Sequence, residues 1–161
     1  MIAIHKARIE EVLEIKRVLS ETWTDTYVGI YSQEAIDYIT SKWHTPENLT
    51  MQINNPDIYF GIAKDNGQMI GLVTARKLDN HTIMMQRLYI KSSYHRQGIG
   101  TQLILEAIKS FPQTTKLKLE VEEQNKKALA FYKKCGFKET RRKEEKVGEY
   151  TMPTIEMEKD I

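Results

Sequence analysis

A strand followed by a glycine-containing loop and a helix, over residues 87–103, constrains the fold of this chain more than any other stretch. Leu88-Tyr89-Ile90 is typical of a strand, and apolar residues spaced four apart predict a helix that begins near Gly98. The first turn of a helix carries unpaired backbone N–H groups and the positive end of the helix dipole. Gly98 and Gly100 would let an anion approach that backbone, and Arg96 adds charge. The stretch therefore indicates a phosphate-binding loop, although a simple tight turn would explain the glycines equally well.

The segments around this stretch predict the order of the secondary structure. Before it, we expect a short strand near residues 2–7, helices over 10–23, from Ser32 and over 46–54, and strands over 58–63, 69–78 and 82–90 with a hairpin turn at 65–67. After it, we expect a helix over 98–111, a strand over 116–121, a helix over 125–135, and strands over 137–142 and 150–159 joined by a charged hairpin at 143–146. This order predicts a mixed α/β fold with a mostly antiparallel sheet flanked by helices, and it does not fit a doubly wound dinucleotide fold.

Length and composition exclude several classes of protein. The 161 residues are enough for one domain, 1–161, with a substantial core, and 40% hydrophobic with 29% charged residues is typical of globular proteins. The net charge of +2 is too small to predict nucleic-acid binding. Cys135 is the only cysteine, so no intrachain disulfide can form. No apolar run reaches the roughly 18–20 residues of a membrane span, and the N-terminus lacks a signal-peptide region, so we expect a cytoplasmic protein.

A second motif lies in the last predicted helix and is more specific. It reads Asn125-Lys126-Lys127-Ala128-Leu129-Ala130-Phe131-Tyr132-Lys133-Lys134-Cys135-Gly136-Phe137. Together with the glycine loop, it resembles the GCN5-related N-acetyltransferase (GNAT) superfamily, whose pattern Asn-x-x-Ala-x-x-Phe-Tyr-x-x-x-Gly-Phe is filled here at every fixed position. The resemblance covers residues 82–137 well, whereas the N-terminal third matches only in its order of elements. The resemblance implies the acyl-CoA N-acyltransferase fold.

The resemblance also implies acetyl-CoA as a co-substrate, with no metal. In this family acetyl-CoA lies where two neighbouring strands separate, here the strand that ends at Ile90 and the strand over 117–121. Backbone groups would hold the pantetheine, the loop N–H groups the pyrophosphate, and Asn125 the cofactor arm. The implied cofactor-binding residues are Leu88, Tyr89, Ile90, His95, Arg96, Gln97, Gly98, Ile99, Gly100, Thr101, Asn125 and Tyr132. His95 departs from the family pattern, which has Arg or Gln three residues before the first glycine.

The implied reaction is direct attack of an amine on the thioester, with Tyr132 as the general acid that protonates the departing thiolate. Many relatives carry a Glu on the strand before the glycine loop as the general base. The corresponding positions here are Met84 or Gln86, which cannot accept a proton. Glu120 or Glu122 acting through water, or solvent itself, could do so. We expect the histidines outside the glycine loop to be structural or solvated rather than catalytic: His5, His44 and His81.

The acceptor site in this family is formed by the first two helices and the late hairpin. That region contains acidic and aromatic residues, which suit a cationic amine: Glu21, Trp23, Asp25, Tyr27, Tyr31, Glu34 and Asp37. The segment 20–27 is similar to the corresponding segment of bacterial polyamine (spermidine/spermine) acetyltransferases. We therefore expect a small-molecule amine as the acceptor, with a protein N-terminal or lysine amine as the rival.

Two other functions fit parts of the sequence. A CoA-binding regulatory module without turnover would explain the missing Glu, while the intact Tyr132 argues against it. A phosphate or nucleic-acid binder could use the basic residues Lys126, Lys127, Lys133, Lys134, Arg141, Arg142 and Lys143. Interspersed glutamates weaken that patch, so we expect no nucleic-acid partner and no membrane partner. By analogy with the superfamily, we expect a homodimer.

Overall fold

A computed structural model describes all residues, 1–161. The strands are β1 (Ile2–Lys6), β2 (Ile58–Asp65), β3 (Gln68–Lys77), β4 (Thr82–Ile90), β5 (Lys116–Glu122), β6 (Lys138–Val147) and β7 (Tyr150–Asp160). The helices are α1 (Val12–Tyr27), α2 (Gln33–Trp43), α3 (Pro46–Asn54), α4 (Ile99–Lys109) and α5 (Lys126–Lys134). None of these helices is long and apolar enough to cross a membrane. The predicted order of elements and the predicted mixed α/β class are confirmed.

The seven strands form one sheet in the order β1-β2-β3-β4-β5-β7-β6. Every neighbouring pair is antiparallel except β4 with β5. Their parallel pairing covers only four residue pairs, of which the last joins Met85 to Leu119. Beyond that pair, β4 continues to Ile90 and β5 to Glu122 without pairing with each other, although each stays paired with its other neighbour. The sheet therefore contains an opening at its centre, which we call the β4–β5 gap.

The two faces of the sheet carry different helices. On one face, α4 and α5 place Leu103 and Leu129 in a core that also contains Val73 of β3. On the other face, α1 and α3 place Ile15 and Leu49 against Leu72. Leu72 and Val73 are adjacent in sequence, so they point to opposite faces of the strand. The β4–β5 gap is consequently bordered by two different layers of side chains.

Local capping and turn residues fix where several elements begin. Ser32 and Thr45 each accept a hydrogen bond of 3.1 Å from the N–H three residues later, and Pro46 occupies the first position of α3. Such caps contribute about 1 kcal/mol each. Asn66 and Gly67 have φ values of 50° and 84°, as a tight β2–β3 hairpin requires. These predicted helix starts and this predicted turn are confirmed.

Two predicted boundaries are wrong. Helix α1 continues past Trp23 to Tyr27, because these two residues lie one turn apart on the same buried face. Strand β6 continues through the charged run at 143–146, which the sequence placed in a hairpin turn, and the chain reverses at Gly148 and Glu149 instead. β6 is an edge strand that pairs only with β7, so its charged side chains stay in water although the backbone is extended.

Candidate active site

Backbone groups of β4 face the β4–β5 gap. Lys91 N–H donates to Ile70 O of β3 over 2.8 Å, and successive residues of a strand direct their backbone groups to opposite sides. Leu88 and Ile90 therefore direct their N–H and C=O groups away from β3 and into the gap. Tyr89 directs its backbone to β3 instead. Because β5 has diverged at this level, the N–H and C=O of Leu88 and the N–H of Ile90 are available to an extended ligand.

His95 lies beside the same backbone. Its Nε2 is 2.8 Å from the carbonyl oxygen of Ile90, so a ring protonated at Nε2 donates to that oxygen. The imidazole is thereby held against the end of β4. A contact between this ring and a phosphate stays a prediction, since the ring nitrogen already has a partner in the protein.

The loop between β4 and α4 presents backbone N–H groups at the start of a helix. Arg96 and Gly98 both have left-handed φ values, 62° and 78°. Helix α4 then begins at Ile99 without a side-chain cap. The first-turn N–H groups, which include those of Gly100 and Thr101, are consequently free of capping side chains. This arrangement fits the pyrophosphate of acetyl-CoA, because phosphate groups bind well at uncapped helix N-termini.

Gly100 lies where α4, β4 and α5 meet. A Cβ atom at this position would lie 3.3 Å from both Ile90 Cδ1 and Phe131 Cζ. The preceding Gln97 is exposed, and its side-chain amide donates to Ser93 O over 3.4 Å. Close packing at the glycine therefore holds the loop next to the end of β4. The predicted cofactor-binding residues of the end of β4 and of the loop before α4 therefore lie together at one end of the β4–β5 gap.

The second predicted motif begins just after β5. Asn125 Oδ1 caps α5 by accepting a 3.2 Å hydrogen bond from the N–H three residues later. Tyr132 is only 9% exposed, and its ring packs against Phe131 and Phe137 with centroid distances of 5.4 and 5.7 Å. Burial, reinforced by the neighbouring Tyr89, raises the pKa of Tyr132 well above its usual value. The phenol is therefore protonated, and able to donate, throughout the neutral range.

A cavity of about 320 Å³ lies on the opposite face of the sheet, and we call it the α1-side cavity. Its lining residues are Trp23, Tyr27, Trp43, His44, Gln52, Met84, Met85, Gln86, Arg87, Tyr89, Glu120, Glu122, Glu145, Met152 and Thr154. The Trp23 ring packs against three other aromatic rings, with centroid distances of 4.4 Å to Tyr27, 5.8 Å to Trp43 and 6.4 Å to Tyr89. Aromatic side chains of α1, α2 and β4 therefore form one wall.

Carboxylates lie on the β5 side of this cavity. Glu122 is 2% exposed and accepts hydrogen bonds from the Tyr31 hydroxyl over 3.0 Å and from Gln124 N–H over 2.6 Å. Glu120 forms an ion pair with Lys143 of β6. Burial and the Glu122 charge raise the pKa of Tyr31 well above its usual value, so Tyr31 remains a hydrogen-bond donor. Glu122 has no cationic partner and is the less neutralised of the two carboxylates.

A cationic group lies elsewhere in the same cavity. Arg87 donates to Gln52 Oε1 of α3 over 2.5 Å, and it forms no ion pair with a carboxylate. Burial lowers the pKa of this guanidinium. His44 is 3% exposed, and burial together with Arg87 lowers its pKa to about 3, so the ring is neutral. We call Trp23, His44, Gln52 and Arg87 the Arg87 cluster.

The residues expected at the acceptor site divide into two groups. Trp23 and Tyr27 line the cavity, and Tyr31 contacts Glu122. The acidic members lie on exposed surface and do not line it: Glu21, Asp25, Glu34 and Asp37. On α1 this follows from helix geometry, because the acids are offset from the face that carries Trp23 and Tyr27. The carboxylates that line the α1-side cavity come from β5 and β6 instead, and a role of these four acids at the acceptor site stays a prediction.

Three residues of the cavity had no role in the sequence interpretation. No sequence pattern indicates a role for Arg87 or Gln52, and the expectation for His44 is a structural or solvated ring. A charged residue directly before an apolar strand segment is the one local signal that distinguishes Arg87. The other two belong to α2–α3 and approach Arg87 only in three dimensions. His5 pairs with Glu11 and does not reach the cavity.

Known proteins share this architecture and much of this sequence. Residues 15–137 match the model of the "Acetyltransferase (GNAT) family". A spermidine N(1)-acetyltransferase from Thermoplasma acidophilum is 35% identical over 143 residues, which cover 85% of this chain and 88% of the relative. The crystal structure of PaiA N-acetyltransferase from Thermoplasma acidophilum in complex with coenzyme A superposes with a TM-score of 0.88 at 31% identity, covering 100% of this chain and 99% of that one. N-alpha-acetyltransferase 30 from Xenopus laevis is 35% identical over 134 residues, 79% of this chain and 42% of the relative.

Proposed function

The chain belongs to the acetyltransferase (GNAT) family and is an acetyl-CoA-dependent N-acetyltransferase acting on amines, and we propose that its acceptor is the primary amine of a small molecule that enters the α1-side cavity. One observation carries this proposal. The β4–β5 gap separates a helix start suited to a pyrophosphate from a cavity that is lined by carboxylates. Spermidine, named in the relative from Thermoplasma acidophilum, is one candidate acceptor.

The reaction forms one bond and breaks one bond. The neutral amine nitrogen attacks the acetyl carbonyl carbon, the C–S bond breaks, and CoA leaves as a thiolate. The nitrogen then loses its second proton to solvent, and solvent returns a proton to the general acid that protonates the sulfur. We assign stabilisation of the carbonyl oxygen to the Leu88 N–H, which faces the gap, because a fixed donor stabilises charge that develops in the transition state. We assign protonation of the sulfur to the Tyr132 hydroxyl, whose raised pKa keeps it protonated.

An amine must lose a proton before it attacks, since the pKa of an alkylammonium is about 10.4. Met84 and Gln86 line the cavity but cannot accept this proton. We assign it to Glu122, acting through water. Glu120 is neutralised by Lys143, whereas Glu122 has no cationic partner and borders the same cavity. Solvent is the alternative route.

The test is release of the CoA thiol from acetyl-CoA, measured with spermidine, cadaverine, lysine and a peptide with a free N-terminus. We expect release to depend on one of the small amines. Tyr132→Phe should lower kcat by about 100-fold, near the lower end for general acid catalysis, because a thiolate is already a good leaving group.

Tyr59→Phe is the matched control, since Tyr59 is another buried tyrosine of the same core and does not line the α1-side cavity. It should retain wild-type kcat. Equal rates for Tyr132→Phe and the wild type would remove Tyr132 from the mechanism. Acetyl-CoA binding without release for any amine would favour the regulatory module.

A protein N-terminal amine is the second candidate, favoured by the similarity to N-alpha-acetyltransferase 30. The peptide in the panel decides between the two acceptors. We also propose that residues 1–161 act as a single domain and that the chain forms a homodimer, which light scattering of the purified protein tests.

A further inference from the structure

The Arg87 cluster is an unpaired cationic site inside the α1-side cavity. Arg87 has a neutral partner, Gln52, and no carboxylate partner. Neither Trp23 Nε1 nor His44 Nδ1, both buried, makes a well-formed hydrogen bond, although the Trp23 N–H lies beside the Tyr89 hydroxyl. The two residues are 2% and 3% exposed. Both of these residues line the cavity with Arg87. Buried polar atoms are normally hydrogen-bonded, so this concentration of unsatisfied groups requires an explanation.

The chemistry of these groups identifies what would satisfy them. A guanidinium and an indole N–H are donors only, and they need acceptor oxygens. The His44 ring is 5.7 Å from the Trp23 ring, between centroids, and is neutral because burial and Arg87 lower its pKa to about 3. The cluster therefore carries one positive charge. A carboxylate matches that single charge and the planar fork of the guanidinium.

The same cavity holds negative charge on another wall. Glu122 is buried without a cationic partner, and Glu145 of β6 also lines the space. A polyamine carries only cationic groups, which would leave Arg87 unpaired. An amine that also carries a carboxylate would satisfy both walls.

We propose that the acceptor is an amine bearing a carboxylate, with the carboxylate bound by Arg87 beside the Trp23 ring and the amine directed to the Glu122 side. This inference rests on the proposed acetyl transfer and narrows its substrate class. Arg87 is then a specificity-determining residue. Gln52 is a positioning residue that holds the guanidinium.

The first test compares lysine with cadaverine, which is lysine without its carboxylate. Wild-type kcat/KM should favour lysine by about 10- to 100-fold, the contribution of a hydrogen-bonded charge pair. Arg87→Gln should abolish the preference by lowering the value for lysine alone, and Arg87→Lys should retain part of it. The exposed arginine variant Arg76→Gln, on β3, should keep the wild-type ratio.

A second measurement is independent of turnover. The chain has two tryptophans, so its ¹H–¹⁵N spectrum has two indole N–H signals, which Trp43→Phe assigns. Pentanoate should shift the Trp23 signal in the wild type, whereas pentylamine should not, and neither compound should shift it in Arg87→Gln.

Equal or faster acetylation of cadaverine would overturn the carboxylate site while leaving acetyl transfer to amines intact. If no amine is acetylated, the proposed acceptor class fails. The response of the Trp23 indole signal to pentanoate still tests whether a carboxylate binds at Arg87. A Trp23 signal that ignores pentanoate, or that shifts equally without Arg87, would overturn it.

Discussion

The two sides of the β4–β5 gap are built in different ways. Towards α4 and α5, the site consists of backbone groups and two continuous segments, 88–101 and 125–137. On the other face, the α1-side cavity takes side chains from α1 to α3, from β4 and β5, and from the β6–β7 hairpin. The first side depends on local conformation, and the second depends on side chains brought together by the fold. Loss of a backbone donor on the first side should therefore lower kcat, whereas substitutions of cavity side chains should change the free energy of unfolding.

The largest expected effect tests the backbone side. Leu88→Pro removes an N–H that faces the gap and pairs with no strand. We expect kcat to fall by about 10²- to 10³-fold, the usual cost of losing one donor to a developing oxyanion. Steady-state kinetics measures this, with circular dichroism as the check on folding. Leu88→Ala keeps the N–H and should keep kcat within a few-fold. A similar loss in both variants would mean that the side chain, not the backbone donor, matters.

An intermediate effect concerns acid stability on the cavity side. The pKa of His44 is lowered to about 3 in the folded chain, so the unfolded chain binds a proton near pH 6.5 that the folded chain rejects. The free energy of unfolding should therefore fall as the pH drops through this window, by about 2 kcal/mol between about pH 6 and about pH 4.5. His44→Gln should make that dependence shallower by the same amount in urea titrations. The exposed-histidine variant His81→Gln should leave the slope unchanged; parallel curves for His44→Gln and the wild type would contradict the burial of a neutral ring.

The smallest effect has the opposite sign. Arg87→Met replaces a partly buried cation that has no carboxylate partner with an apolar side chain of similar length. Without any ligand, we expect the variant to gain about 1 kcal/mol in the free energy of unfolding, because an uncompensated charge is costly to enclose. Thermal unfolding should show a rise of about 2–4 °C. A fall in the thermal unfolding midpoint would show that Arg87 stabilises the fold. It would contradict the expectation that Arg87 serves ligand recognition at a cost in stability.

The conformation of the backbone side could be predicted from the sequence because its signals are local, whereas the roles of its residues stay predictions. Glycines at a helix start, the cap at Asn125 and the Phe131-Tyr132 pair can be read from neighbouring residues. The order of strands also followed from local patterns and turn residues such as Asn66-Gly67. The charged run at 143–146 misled the prediction, because high charge is typical of turns and of solvated edge strands alike.

The cavity side could not be predicted in the same way. Charge and aromatic content near the first two helices suggest an acidic acceptor site, yet helix geometry turns Glu21 and Asp25 away from the α1-side cavity. The carboxylates that line this cavity come from strands far along the chain: Glu120, Glu122 and Glu145. The Arg87 cluster combines a residue of β4 with Trp23 of α1, with His44 just after α2 and with Gln52 of α3. No spacing in the sequence predicts that these residues meet.

The β4–β5 pairing has a mechanical consequence. Only four residue pairs connect the first four strands to the last three, so the weakest seam of the sheet runs through its middle. An extended ligand in the gap would contact both halves of the sheet, the first four strands and the last three, and would hold them together. Since a ligand stabilises the state that binds it, occupancy strengthens the molecule where its own hydrogen bonds are fewest. Without a bound ligand, we expect the first large-scale local unfolding to separate β4 from β5 at the centre of the sheet. Small proteins usually unfold first at their termini and edges instead.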